Sequence, residues 1–181
     1  MGCKSSSIKF QSAQWMSKNL NVEKFNNGDL IPEAKTAEEW MEAGKNKTPA
    51  FCYYGNEENL GEKYGKLYNW YAVNDERGLA PEGWHVATDQ EWKRLIDELG
   101  GLKKATEVLT KGEFSSHLSG LRDMDGSFAN EGHSAIYWTG TPLNSFLAHN
   151  RQIPGGDDEI GVGSSHYSMG FSIRCVKNVK E

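Results

Sequence analysis

The chain has 181 residues, a formal net charge of −5 at neutral pH and an apolar fraction of 37%, with six Trp, seven Tyr, seven Phe and twenty Gly. A chain of this length forms one domain that buries roughly 70% of the surface its unfolded form exposes, and its dispersed acidic excess excludes a phosphate backbone, hence nucleic acid, as the expected partner. No apolar run approaches the 18 or so residues of a membrane span, and the N-terminus lacks the apolar core of a signal peptide, so no membrane crossing is expected.

In chain order, residues 1–10 read as a flexible N-terminal segment and residues 11–181 as a single domain. Met1-Gly2-Cys3-Lys4-Ser5-Ser6 formally matches the myristoylation pattern, and a cysteine there could equally carry a lipid after signal removal. A polar tail explains the same residues more simply. Thr36-Ala37-Glu38-Glu39 has the Thr-to-Glu spacing of a reciprocal capping box and starts a helix. The aromatic run Tyr64–Val73 predicts another helix, because Leu67, Trp70, Tyr71 and Asn74 share one helical face. Pro81 and Gly83 form a turn that delivers Trp84 and Val86 into a short strand. Thr88-Asp89-Gln90-Glu91 is a second capping box. Its helix places Trp92, Leu95, Ile96 and Leu99 on one face and stops at Gly100-Gly101.

After residue 112 the texture changes to Gly, Ser, Asn and short apolar runs, with strands predicted at Ala135–Thr139, Ser145–Ile153 and Gly170–Lys177. Helices first and antiparallel strands last indicate an α+β, loop-rich domain with two main helices packed on a small antiparallel sheet. Trp70, Trp84, Trp92 and Trp138 could stack on sugars, but aromatics spaced along helices and strands belong to a core.

Six ordered blocks then take on a joint meaning: Trp15–Asn21, Asn27–Pro32, Tyr64–Val73, Leu79–Val86, Asp89–Trp92 and Gly170–Val176. Together they span nearly the whole chain and resemble the Fibrobacter succinogenes major paralogous domain. That family is similar to C-type-lectin-like proteins, including formylglycine-generating enzymes and the variable proteins diversified by retroelements. The resemblance implies a C-type-lectin-like fold. It also suggests a disulfide between Cys52 and Cys175, the two cysteines inside the domain. Such a bridge would constrain the unfolded chain by roughly 4 to 5 kcal/mol and point to an oxidising compartment, hence an extracellular or cell-surface location. Two buried thiols in a reducing compartment are the alternative.

Catalytic and metal constellations find little support. The formylglycine-generating enzymes rely on two reactive cysteines late in the chain, and only Cys175 lies there, beside Arg174. No catalytic residue is assigned. Asp123-Met124-Asp125-Gly126 and Asp157-Asp158-Glu159 lack the spacing of an EF-hand and the sugar-binding triplets of calcium-dependent lectins, and His117, His133, His149 and His166 lack zinc-site spacing. Neither a metal nor a cofactor is expected.

The strongest anomaly is an absence. All 15 lysines lie at or before Lys111 or at and beyond Lys177, whereas about five would fall in residues 112–176 at the chain's overall frequency. Burial does not explain this, because Asn144, Asn150, Gln152, Asp157, Asp158, Ser164 and Ser168 are not core residues by type. Retroelement-diversified proteins vary the C-terminal end of this fold, where mutated Asn codons yield Asn, Ser, Asp, Tyr, His and Gly but not Lys. Gln152 and Glu159 lie outside that set and would be fixed scaffold. The resulting expectation is a monomeric binding protein that presents Leu143, Asn144, Phe146, His149, Arg151, Asp157, Asp158, Ser165, His166 and Tyr167 to an unknown protein or glycan. A carbohydrate-binding domain without diversification and a formylglycine-generating-like enzyme are the alternatives.

Overall fold

The structure is a computed structural model that describes residues 6–114 and 116–178. Cys3 and its lipid readings lie outside the described residues. Strand β1 (Ser7–Lys9) pairs antiparallel with β2 (Gln14–Met16), so residues 7–9 are part of the domain rather than of the expected tail. Helix α1 (Ala37–Asn46) starts at the predicted box: Glu39 N–H donates to the Thr36 hydroxyl at 3.2 Å, and Thr36 N–H donates to the Glu39 carboxylate at 3.1 Å. Its buried Trp40 donates an indole N–H to the Ser168 carbonyl at 3.0 Å, which ties the helix to the C-terminal segment.

The predicted helix over 64–73 is broken. Helix α2 (Gly61–Tyr64) ends at Gly65, whose φ of 70° is left-handed, and a side chain there would sit 2.7 Å from the Leu20 carbonyl oxygen. The chain then extends as β4 (Leu67–Tyr68), paired with β3 (Phe51–Cys52), before Asn69 caps the short α3 (Trp70–Val73) by accepting from Ala72 N–H at 3.1 Å. Helical spacing of the aromatics was therefore outweighed by a glycine that must approach another backbone and by an N-cap residue inside the run.

Strand β5 (Trp84–Val86) and helix α4 (Asp89–Glu98) lie where the sequence puts them, and Trp92, Leu95 and Ile96 of α4 are buried. A further helix, α5 (Leu102–Thr110), follows Gly101 and buries Ala105, Thr106 and Leu109. Five strands form the next stretch: β6 (Ser119–Arg122), β7 (Phe128–Glu131), β8 (Ser134–Pro142), β9 (Leu147–Pro154) and β10 (Gly161–His166). The predicted single strand over 170–177 is two, β11 (Ser172–Ile173) and β12 (Cys175–Lys177).

These strands build a six-stranded sheet in the order β10-β9-β8-β6-β7, with β11 parallel to β8, and a four-stranded sheet in the order β1-β2-β12-β5. The second sheet joins the two ends of the described chain, since Val176 pairs with Trp15. The α+β class stands, but strands predominate over several short helices, in place of two main helices on a small sheet.

Period-2 alternation explains how the core is divided. In β8, Ala135 and Tyr137 enter one cluster with Trp15, Trp92, Leu95 and Ile153, while Ile136 and Trp138 enter another with Met16, Tyr68, Trp70 and Phe171. Both faces of β8 are covered, so its run reads as continuously apolar. The Trp138 indole donates to the Tyr68 carbonyl at 2.9 Å and that of Trp70 to the Thr139 carbonyl at 3.1 Å, which satisfies their polar edges inside the core. Trp70, Trp92 and Trp138 are thus core residues, while Trp84 is half-buried.

Two guanidinium groups are fully buried. Arg122 donates to the carbonyls of Ala34 (2.7 Å), Thr36 (2.7 Å) and Gly126 (3.2 Å). Arg174, between β11 and β12, donates to Asn19 Oδ1 (2.7 Å) and to the carbonyls of Met16 (2.9 Å) and Phe114 (2.6 Å). Each uses the planar fork of arginine to gather loops from distant parts of the chain.

Candidate functional site

The turn between β8 and β9 holds the most conspicuous exposed apolar pair: Leu143 is 48% and Phe146 52% exposed. Local chemistry fixes it. The Asn144 carboxamide oxygen accepts from Phe146 N–H at 3.0 Å and Leu147 N–H at 2.9 Å, so the side chain takes the place of a backbone turn. The Tyr167 hydroxyl donates to the Asn144 carbonyl at 2.5 Å, and Tyr167 N–H donates to the Phe146 carbonyl at 3.0 Å. The Tyr167 ring stacks on Trp70 at 4.3 Å between centroids. The turn is thereby pinned to the core while its apolar side chains face outward. Tyr167 itself is buried, which raises its phenol pKa, and it supports the surface more than it lines it.

Ser165 and His166 sit at the same end of the β9–β10 hairpin, where His166 pairs with Leu147. The Ser165 hydroxyl accepts from the Asn150 carboxamide at 2.8 Å, and His166 Nδ1 accepts from Ser168 N–H at 3.2 Å. Arg151 departs from expectation: it is buried, with Nη2 on Asp89 Oδ1 at 2.6 Å and Nη1 on the Asn150 carbonyl at 2.8 Å. It locks β9 to the first turn of α4 and is not presented to a partner. His149 is half-buried beside the same carboxylate, with Nδ1 3.9 Å from Asp89 Oδ1.

Asp157 and Asp158 are exposed but lie past the other end of the hairpin. Between Leu147 and Gln152 the ladder runs five residue steps, roughly 17 Å at strand rise, so the two aspartates do not join the turn. They line a separate cleft of about 280 Å³ with Lys103, Thr106 and Glu107. The ten predicted residues therefore divide into a cluster at the turn, a structural pair at Asp89 and a distant acidic loop.

One exposed residue was missed. Val162 is 60% exposed on β10, an edge strand whose sequence Gly-Val-Gly-Ser-Ser-His has no Lys, Asp, Glu or Pro to blunt its free side. That lack of charged residues was the available signal.

The suggested disulfide is absent: Cys52 and Cys175 are free and buried. Cys52 pairs across from Leu67 beside Trp40, whereas Cys175 lies between β2 and β5 in another cluster. Burial pushes the Cys52 thiol up to about 11 and the Cys175 thiol up to about 12, so neither supplies a thiolate near neutral pH. Among the described residues, no three His, Cys, Asp or Glu are grouped to hold a metal ion, and no helix is long and apolar enough to cross a membrane.

Neither the curated proteins nor the solved structures contain a match to the chain. The family model described as the Fibrobacter succinogenes major domain matches residues 8–177, from β1 through the last residue of β12, and the chain belongs to that family.

Proposed function

We propose that the protein is a binding module that presents the β8–β9 turn and the adjoining edge of β10 to a protein partner. The exposed Leu143 and Phe146 on a turn pinned by Asn144 and Tyr167 carry this reading. Paired apolar side chains held rigidly outward, with Ser165 and His166 beside them, suit the apolar centre and polar rim of a protein interface. Five of the six tryptophans are at most 2% exposed and Trp84 is half-buried, so the rings best suited to stacking on sugars are committed to packing. This favours protein over glycan.

The pairing of both ends of the described chain in one sheet and the long β8–β9–β10 hairpin system support a C-type-lectin-like scaffold, the fold suggested by the family's relatives. The Lys-free stretch of residues 112–176, which contains the turn and β10, supports diversification by a retroelement. A display role of this kind belongs at the cell surface or outside the cell. Binding is preferred to catalysis because both described thiols are buried and protonated.

The test compares the wild-type chain with a Leu143→Ser/Phe146→Ser double variant on an array of purified bacterial and host surface proteins and on a glycan array. Both positions are exposed, so stability should change by no more than about 0.5 kcal/mol per substitution. Protein signals that fall at least about tenfold in the double variant, with a blank glycan array, support the reading. Equal binding by both forms, or selective glycan binding, overturns it.

A further inference from the structure

A second concavity shares no residue with the hairpin surface. The β1–β2 turn, the first half of α4 and the end of β12 enclose a pocket of about 400 Å³, a volume suited to a small organic molecule. Its apolar lining comes from the half-buried Phe10 and Ala13, the former packed edge-on to Phe114 at 6.2 Å. Its charged rim comes from Lys9, Arg94 and Lys177, all exposed and none with an ion-pair or hydrogen-bond partner for its side chain among the described residues.

The single carboxylate lining the pocket is already engaged. Glu91 accepts from Thr88 N–H at 2.8 Å and the Thr88 hydroxyl at 2.7 Å, and it meets His85 Nε2 at 2.7 Å. The other ring nitrogen of His85 lies 2.6 Å from Asn178 Oδ1, so both imidazole nitrogens face oxygens. Glu91 therefore balances His85 and the helix cap, and among the described residues no carboxylate compensates the three rim cations. Three like charges around one concavity repel, and an anion placed among them relieves that repulsion.

We propose that this pocket binds a ring-sized organic carboxylate, with the carboxylate held between Lys9, Arg94 and Lys177 and the ring against Phe10 and Ala13. The sign of the rim selects an anion, and the apolar lining selects an organic body over a bare ion. Gln11 and Ser12, in the turn that closes the pocket, supply neutral polar groups for further hydrogen bonds.

The test is an NMR titration of the ¹⁵N-labelled full chain with sodium benzoate, with benzyl alcohol as its uncharged analogue and inorganic phosphate as the ring-free anion. Benzoate should produce saturable shifts confined to residues 9–14, 85, 91, 94 and 176–178, while the other two probes at the same concentration should not. R94E and K177E should each weaken benzoate binding about tenfold without changing Tm, because both side chains are exposed. Unchanged affinity in these variants, equal binding of benzyl alcohol or phosphate, or benzoate shifts elsewhere on the chain overturns the proposal.

Discussion

Replacing Arg122 with Met tests whether a buried guanidinium organises the loops around α1. The side chain is fully buried, lies over the Trp40 ring at 4.9 Å and the Phe128 ring at 4.8 Å, and among the described residues pairs with no carboxylate. Methionine fills much of the same volume and removes the cost of burying a charge. It also leaves the Ala34 and Gly126 carbonyls without a donor, while Thr36 keeps its bond from Trp40 N–H. Two orphaned buried carbonyls cost about 1–3 kcal/mol each, and two lost cation–π contacts add about 0.5–2 kcal/mol each. Relief of the desolvation cost offsets part of this sum and leaves a net loss of about 3–5 kcal/mol. In a chain of this size each kcal/mol lowers Tm by roughly 2–4 °C, so R122M should melt roughly 6–20 °C below wild type. Urea unfolding followed by tryptophan fluorescence measures this as a lower midpoint at unchanged slope. R122K keeps the charge but loses the fork and should still cost about 2 kcal/mol or more. A loss under about 1 kcal/mol in R122M, or wild-type stability in R122K, would refute the reasoning.

Two further predictions concern titration and thiols. The bond to Glu91 raises His85 above its ordinary value of 6.5, so its contribution is full below that pH and is lost as pH rises through the folded value. Burial raises Glu91, but bonds from His85 and Thr88 outweigh it and leave the carboxyl below 4.5, so its contribution is present above that pH and lost on acidification. The stability gap between wild type and H85Q should therefore be larger at about pH 5.5 than at about pH 8.5 in urea unfolding, and a gap independent of pH would count against the pair. In a Cys3→Ser background, a thiol reagent should react with neither cysteine in the native protein and with both after unfolding without reductant. Finding no thiol after unfolding would mean that Cys52 and Cys175 are bridged after all.

The candidate surface was legible only in part. Leu143, Asn144 and Phe146 were reached through the Lys-free polar texture of the segment, while Ser145 and Phe146, expected in a strand, lie in the turn between β8 and β9 because the Asn144 side chain caps it. Arg151 was misjudged because arginine is a surface residue by type, and only the position of Asp89, 62 residues away in sequence, shows that its charge is satisfied inside. Asp157 and Asp158 match the polar composition of the turn, but the hairpin ladder sets them at its far end.

The sequence alone determined what depends on neighbours within about one helical turn: the caps at Thr36 and Thr88, the stop after α4, the short strand at 84–86 and the apolar runs of β8 and β9. Tertiary structure decided what depends on partners far along the chain. Gly65 breaks the aromatic run because its backbone meets that of Leu20. Arg174 divides the last strand because its guanidinium reaches the Met16 carbonyl across 158 residues, so that Ile173 joins one sheet and Cys175 another. Capping and periodicity are local energies written into adjacent residues, whereas burial of a charge or the choice of a strand partner acquires its energy only once distant carbonyls and edges have been brought together.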